Sequence, residues 1–499
     1  MAVLLGSVAC YGVLAITEPP GPGLDPDTMS YLGAAESLVR HGTLRIPAAH
    51  WMDADSTEAL GHFPPGFPLA IALPVALGAP PAQAARGVEA AAAFATVALA
   101  VWLVGAAAGA AAGLLAGAVL LVTPAFAFDH WQIVSEPLCL ALLLATLALM
   151  TTSRRPWTYG IAAAAAGMVR YAAVASTGAV VLWAYGLEGS RRERLRRAAI
   201  AAAPSLIAQT AWTIRSALEA GEIRSFGLRG NLLPTFRELM ATLGAWLAPS
   251  APGPRAQGAL AIGVAAVALL LLAGQARSSS GPEDAPRRAP PRRLVAATSL
   301  LAACYAAFVL FSRLFVDETI PFDQRILSPF IVLAEVAGVA ALGGAAAGWS
   351  RRVRAAAGAA ALAWLAASAA ATVHGVADAL DGGWGYASDE WRGSPLGAWL
   401  RSAGRGAAIF SNNTATAWFV THRPSRGVPD SLDADSVAAF GRVLRDRHGV
   451  LVRFPFDLEA GAPPDSLANR LGLTEMARFP DGVVWGPAPV APAGSPLAR

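Results

Sequence analysis

The sequence predicts a mainly α protein, a polytopic bundle of about eleven transmembrane helices with a small α/β domain at its C-terminus. Three observations predict it. Of 499 residues, 55% are hydrophobic and only 14% charged, with a mean hydropathy of +0.48; soluble domains carry about 25% charged residues. Apolar runs close to the roughly 20 residues needed to cross about 30 Å of hydrocarbon recur up to about residue 373. From about His374, tryptophan, Asp, Asn and Arg return, and short β-like runs alternate with helical ones.

Residues 2–16 are the first expected span. No basic residue precedes them and Thr17-Glu18-Pro19-Pro20 is a poor cleavage site, which argues against a signal peptide. A long loop, 18–62, follows and holds seven acids, among them Asp25, Asp27, Asp53, Asp55 and Glu58. Within it, Asp27 or Thr28 can cap a short amphipathic helix with Tyr31, Leu32, Ala35, Leu38 and Val39 on one face, which Gly42 stops. Phe63-Pro64-Pro65-Gly66-Phe67-Pro68 then leads into a short apolar stretch ending at Gly78, read as a helix lying at the membrane interface. Further spans are read at 84–104, 110–123, 136–152, 156–169, 171–187, 198–214, 258–273, 294–311, 326–342 and 354–373. A second long loop, 215–257, has an apolar piece at 236–247, and the Ser- and Pro-rich stretch 274–293 reads as a linker.

The arginines orient this bundle. With the N-terminus inside, the predicted inner loops carry Arg154-Arg155, then Arg191, Arg192, Arg194, Arg196 and Arg197, then the arginines of 277–293, then Arg351, Arg352 and Arg354. The loops 18–62 and 215–257 and the C-terminus then lie outside. The net charge of +4 follows from this bias and is not a nucleic-acid footprint. All 38 basic residues are arginine, so any cation that binds phosphate here is Arg or His. Cys10, Cys139 and Cys304 lie in apolar runs without CxxC spacing and read as packing residues.

In the C-terminal part, strands are expected at 407–411, 449–454, 476–479 and 483–485, with a helix at 433–447. The expected domains are therefore 1–373, transmembrane with its two long loops; 374–487, an extracytoplasmic α/β domain; and 488–499, a Pro- and Ala-rich disordered tail.

Several separated pieces match one pattern. They are Asp27-Thr-Met-Ser-Tyr-Leu with Ala35 and Gly42, His62-Phe-Pro-Pro-Gly-Phe-Pro, Ala85-Arg86, Ser135-Glu136-Pro137-Leu138, Met168-Val-Arg170-Tyr171, Trp212-Thr-Ile-Arg215 and Asp323-Gln-Arg325-Ile-Leu-Ser-Pro329. In the last domain Ser411-Asn412-Asn413, Trp418-Phe419 and Thr421-His422-Arg423 add to it. Together these resemble the landmarks of the bacterial GT-C superfamily of integral-membrane glycosyltransferases, most closely the protein O-mannosyltransferase and aminoarabinose-transferase branch. The resemblance implies transfer of a sugar from a polyprenyl-phosphate carrier to an envelope glycan, lipid or protein acceptor, at the outer face of the plasma (inner) membrane. The aminoarabinose-transferase branch has a lysine directly before its Pro-Pro; this chain has Phe63, which moves donor contacts to arginines or His62.

Such a reaction needs a base for the acceptor proton and cations for the departing phosphate. Asp27 is the expected base or acceptor-orienting group, with Asp25 and Glu136 sharing that role, tuning it or binding sugar hydroxyls. Arg170, Arg215 and Arg325 are the expected donor-phosphate ligands, with His62 beside them. An Asp-x-Asp pair also suits Mg²⁺ or Mn²⁺, which leaves a divalent metal open as a cofactor. Plainer readings stand next to these. Asp25 and Asp27 can be helix caps, Arg170 and Arg215 can snorkel at span ends, Glu136 can favour its helix dipole, and Asp323–Arg325 can be a structural ion pair. His130, His374, His422 and His448 lack ligand spacing and read as surface or interface residues. Trp384, Trp391 and Trp399 read as core or membrane-interface anchors. The other functional classes are a transporter or flippase, for which no internal repeat is seen, and a non-catalytic membrane scaffold.

Overall fold

The computed structural model describes residues 1–18, 21–221, 227–228, 230–249, 253, 290–346, 348–456 and 461–487. The expected span at 258–273, most of the 274–293 linker and the 488–499 tail lie outside the described residues. The chain divides into two compact units, Met1–Pro22 with Gly61–Gly383, and Gly23–Leu60 with Trp384–Arg499. Loop 18–62, grouped above with the transmembrane part, thus contributes most of its length to the unit that contains the C-terminal segment.

The first unit is helical. Four of its described helices are long and apolar enough to cross a membrane, Pro81–Ala108, Pro291–Phe315, Gln324–Ala346 and Arg351–Gly382. Ala110–Val122 and Pro124–His130 meet at 62° and make a fifth if taken as one broken span. Ala2–Ile16, Gly66–Ala76, Glu136–Thr152 and Tyr171–Gly186 are shorter apolar helices, and the expectation of about eleven spans counts short helices as well. This is a membrane protein. Outward-facing leucines and isoleucines, such as Leu206, Ile207, Ile214 and Leu218, are what lipid-facing helices present.

Two devices position the helix ends of this unit. Arg86, buried near the start of Pro81–Ala108, donates from Nε to Thr17 Oγ1 (2.8 Å) and pairs with Glu18, which fixes the end of Ala2–Ile16. At Gly66 a Cβ would stand 2.5 Å from the Met168 carbonyl oxygen, so only glycine lets the Pro-Pro-Gly step press against the end of Pro156–Val169, next to Arg170. Gly66→Ala is expected to destabilise this unit by about 1–3 kcal/mol, the usual range for overpacking, read as a lower thermal midpoint in detergent. An unchanged midpoint would show that the step has room to shift.

In the second unit, a six-stranded sheet runs Ala48–Ala49, Ser425–Arg426, Ile409–Ser411, Val450–Arg453, Gly482–Gly486, Thr474–Phe479. The first four strands are parallel neighbours and the last two join antiparallel. Ala48 pairs with Ser425 and Ala49 with Arg426, so loop 18–62 supplies an edge strand. Side chains alternate between faces, as the pleat requires. Ile409, Val450, Val452 and Val484 pack on one side with Met29, Leu396, Leu400, Ala415 and Val420. Phe410, Leu451, Val483 and Trp485 pack on the other with Val437, Phe440, Leu444 and Leu467. Helices therefore cover both faces, Pro26–His41, Pro395–Arg401 and Thr414–Thr421 on one, Ala434–Asp446 and Pro464–Leu471 on the other.

Candidate functional site

In the first unit, three chain segments that sequence reading put at helix ends converge. Glu136 opens Glu136–Thr152, with Pro137 behind it, and its side chain is fully buried. Arg170 follows Pro156–Val169 in extended backbone, between that helix and the 3₁₀ turn Tyr171–Val174, and this break lets its side chain leave the helix axis. Arg325 lies in the first turn of Gln324–Ala346. Arg170 Nη1 donates to Glu136 Oε1 at 2.9 Å and to Ser135 Oγ at 3.2 Å, and Arg325 Nε donates to the same Oε1. Both guanidinium side chains keep some exposure, 14% and 19%, while the carboxylate that joins them has none. Two cations are thus held side by side on one buried anion. That arrangement costs much less than two bare buried charges, and guanidinium groups are side chains well matched to phosphate oxygens.

Further acids stand behind this pair. Asp129, on Pro124–His130, is fully buried, close enough to Glu136, Arg325 and Arg170 to feel their charges. Glu89, buried in Pro81–Ala108, accepts the Val134 N–H at 3.1 Å and so fixes the loop that ends at Glu136. Tyr305 OH donates to the Ile326 carbonyl at 2.9 Å and is hydrogen-bonded with Arg170. Sequence reading passed over Asp129 and Glu89, although a single acid inside an apolar run is a recognised signal.

The remaining expected residues fall elsewhere. Asp323 does not pair with Arg325; its Oδ1 accepts the Ile326 N–H at 2.8 Å in the manner of a helix cap. Arg215 pairs with Glu219 (2.8 Å) one turn along its own helix and lies over the Trp212 ring at 4.9 Å. Trp212 Nε1 donates to Tyr171 OH, whose hydroxyl donates to the Gly61 carbonyl, so the neighbours of Arg215, Arg170 and His62 are tied together. His62 itself is exposed, edge-on to Phe63. His130, expected at a surface or interface, is instead fully buried, with Nδ1 2.7 Å from the Phe126 carbonyl oxygen.

Asp25 and Asp27 belong to the second unit. Asp25 is the N-cap of Pro26–His41, and its Oδ1 accepts from both Thr28 N and Thr28 Oγ1 at 3.1 Å, while its own N–H donates to Thr28 Oγ1. Its carboxylate serves the helix. Asp27, one residue into the helix and half-buried, lies in the first turn, where the macrodipole favours the anion. Of the two acids, Asp27 is the one not used as the cap. Among the described residues no group of three or more His, Cys, Asp or Glu is arranged to hold a metal ion.

No family model and no curated protein sequence matches the chain. Among solved structures it is similar to ArnT from Cupriavidus metallidurans bound to undecaprenyl phosphate, with a TM-score of 0.60 and 17% identity over 97% of each chain. It is also similar to arabinofuranosyltransferase AftD from Mycobacteria (TM-score 0.52, 16% identity, 97% of this chain and 41% of that one). A third is the Archaeoglobus fulgidus oligosaccharyltransferase (TM-score 0.50, 10% identity, 90% and 68%). The fold is the GT-C fold.

Proposed function

Starting from the GT-C fold, we propose that this chain is a membrane glycosyltransferase that moves a sugar from a polyprenyl-phosphate carrier to an acceptor at the extracytoplasmic face. The observation that carries the reading is the arginine pair, Arg170 and Arg325 on buried Glu136. The ArnT structure it is similar to is bound to undecaprenyl phosphate, which is the same ligand chemistry.

In the reaction, an acceptor hydroxyl oxygen bonds to the anomeric carbon, and the bond from that carbon to the phosphate oxygen breaks. Its electron pair leaves with the phosphate, which turns from a singly charged diester into a monoester of greater charge. Charge therefore grows where the two guanidinium groups are proposed to bind, and fixed cations there favour the transition state over the bound donor. The acceptor proton goes to the Asp27 carboxylate. Asp25 caps the helix that presents Asp27, and Glu136 holds the arginines. Arg215 and His62 are assigned as further donor contacts. Among the described residues, a transporter draws support from the 62° break between Ala110–Val122 and Pro124–His130.

The arginine distribution supports an N-terminus in the cytoplasm and a C-terminal segment outside. The acceptor is an envelope glycan, lipid or protein.

The test is transfer of label from polyprenyl-phosphate sugars in membranes containing the wild-type chain or Arg325→Gln. Wild type is expected to transfer label. The variant, having lost a charge-assisted hydrogen bond, is expected to need about ten- to a hundred-fold more donor for half-maximal rate. No transfer by well-expressed wild type across a panel of such donors would end this reading.

A further inference from the structure

The second unit holds the Asp25–Asp27 turn by an unusual route. Leu24 forms a parallel bridge with Gly385. The Leu24 N–H donates to the Trp384 carbonyl (3.3 Å), and the Tyr386 N–H donates to the Leu24 carbonyl (2.9 Å). Both backbone groups of the residue before Asp25 are therefore gripped by Trp384-Gly385-Tyr386. Gly385 has φ +59°, and a Cβ there would stand 2.0 Å from the Leu24 oxygen, so no other residue fits without driving the turn away.

The grip is anchored at its far end. The Thr416 hydroxyl donates to Tyr386 OH (3.0 Å), and Tyr386 OH donates to Asn413 Oδ1 (3.4 Å). Asn413 Oδ1 also caps Thr414–Thr421 by accepting the Thr416 N–H at 2.9 Å. The Tyr386 ring stacks on Phe419 at 4.6 Å and tilts against Trp391 at 5.7 Å. Burial first, and Asp25 nearby, raise the Tyr386 hydroxyl above its ordinary range, so the phenol stays a donor. A rigid path thus runs from the N-terminus of Thr414–Thr421, through Tyr386 and Gly385, to the backbone that ends in Asp27.

We propose that Gly385 and Tyr386 are positioning residues for Asp27, which makes this C-terminal bracket part of the acid's catalytic apparatus. This rests on the assignment of Asp27 as base. Proximity arguments give the scale, since a shift of about 1 Å in a catalytic group can cost on the order of a hundredfold.

The experiment compares wild type, Asp27→Asn, Gly385→Ala and Tyr386→Phe in the label-transfer assay, with thermal unfolding of each. Gly385→Ala is expected to lower kcat by on the order of a hundredfold and Tyr386→Phe by several-fold, both with donor KM held within about twofold. A merely structural lesion would lower the amount of folded enzyme and leave the kcat of what remains intact. Wild-type kcat in both variants, with Asp27→Asn inactive, would overturn the bracket. Full activity of Asp27→Asn would overturn the base assignment, and the bracket with it. Should Gly385→Ala fail to fold, Tyr386→Phe decides, because it keeps the backbone grip and removes only the hydroxyl: a lower kcat upholds the proposal and an unchanged one rejects it.

Discussion

Asp27→Asn is expected to lower the rate of sugar transfer by about a hundred- to ten-thousand-fold, the usual worth of a positioned general base, while donor KM changes little. The amide keeps the size of the side chain and cannot take a proton. It also keeps an oxygen in the first turn of Pro26–His41, and the cap itself is Asp25, so the helix is expected to stay folded. Rates at equal expression, with saturating donor, check this. Transfer that survives in the variant would leave Asp27 a dipole-favoured surface acid and return the search for a base to other carboxylates.

The second large effect is expected at Glu136. Its carboxylate is wholly buried and takes two guanidinium groups on one oxygen. Glu136→Gln takes away the carboxylate that Arg170 and Arg325 share, and losing one partner of a buried ion pair typically costs about 3–5 kcal/mol. A fall in thermal midpoint of the first unit is expected together with loss of donor affinity, because the two cations then repel. Adding a polyprenyl phosphate is expected to raise the midpoint of wild type and to have less effect on the variant, by ordinary binding linkage. A variant as stable as wild type, with unchanged donor KM, would remove Glu136 from the support of the site.

Some of this was legible in the residues. Ser135-Glu136-Pro137 marks a helix start, and Glu136–Thr152 is the helix found. The strands at Ile409–Ser411, Val450–Arg453 and Gly482–Gly486 are short, mostly apolar runs, and the sequence places them within a few residues of where they lie. The two short strands were not, because Ala48–Ala49 and Ser425–Arg426 have two residues each and no pattern of their own. Only their pairing defines them, and pairing across such a separation is invisible to local propensity. An Asp323–Arg325 ion pair was the plainer alternative to a phosphate-binding Arg325, yet residues two apart do not face each other at a helix start. Arg325 instead finds Glu136, and Asp323 turns to the backbone. Asp129 and Glu89 lie inside apolar stretches, where no local motif marks an acid as part of a site. Glu335 is a third of this kind, buried and bonded to Thr123 (2.6 Å) and Trp246 (2.9 Å).

The edge strand Ala48–Ala49 sets an order of assembly. Its partner, Ser425–Arg426, is made after Ile409–Ser411 and before Val450–Arg453, Thr474–Phe479 and Gly482–Gly486, and the Gly385 grip on Leu24 is made not long before it. At translation speeds of about 5–20 residues per second, the segment carrying Asp27 waits on the order of half a minute or more for the strand that completes its sheet. During that interval Met29 and its neighbours have no core to enter, and Ala48–Ala49 is an open edge. A chain cut short before Trp384 would lose both the Gly385 grip and the Ser425–Arg426 strand, and would leave the segment from Leu24 to Ala49 as an unguarded stretch for proteases and chaperones to find.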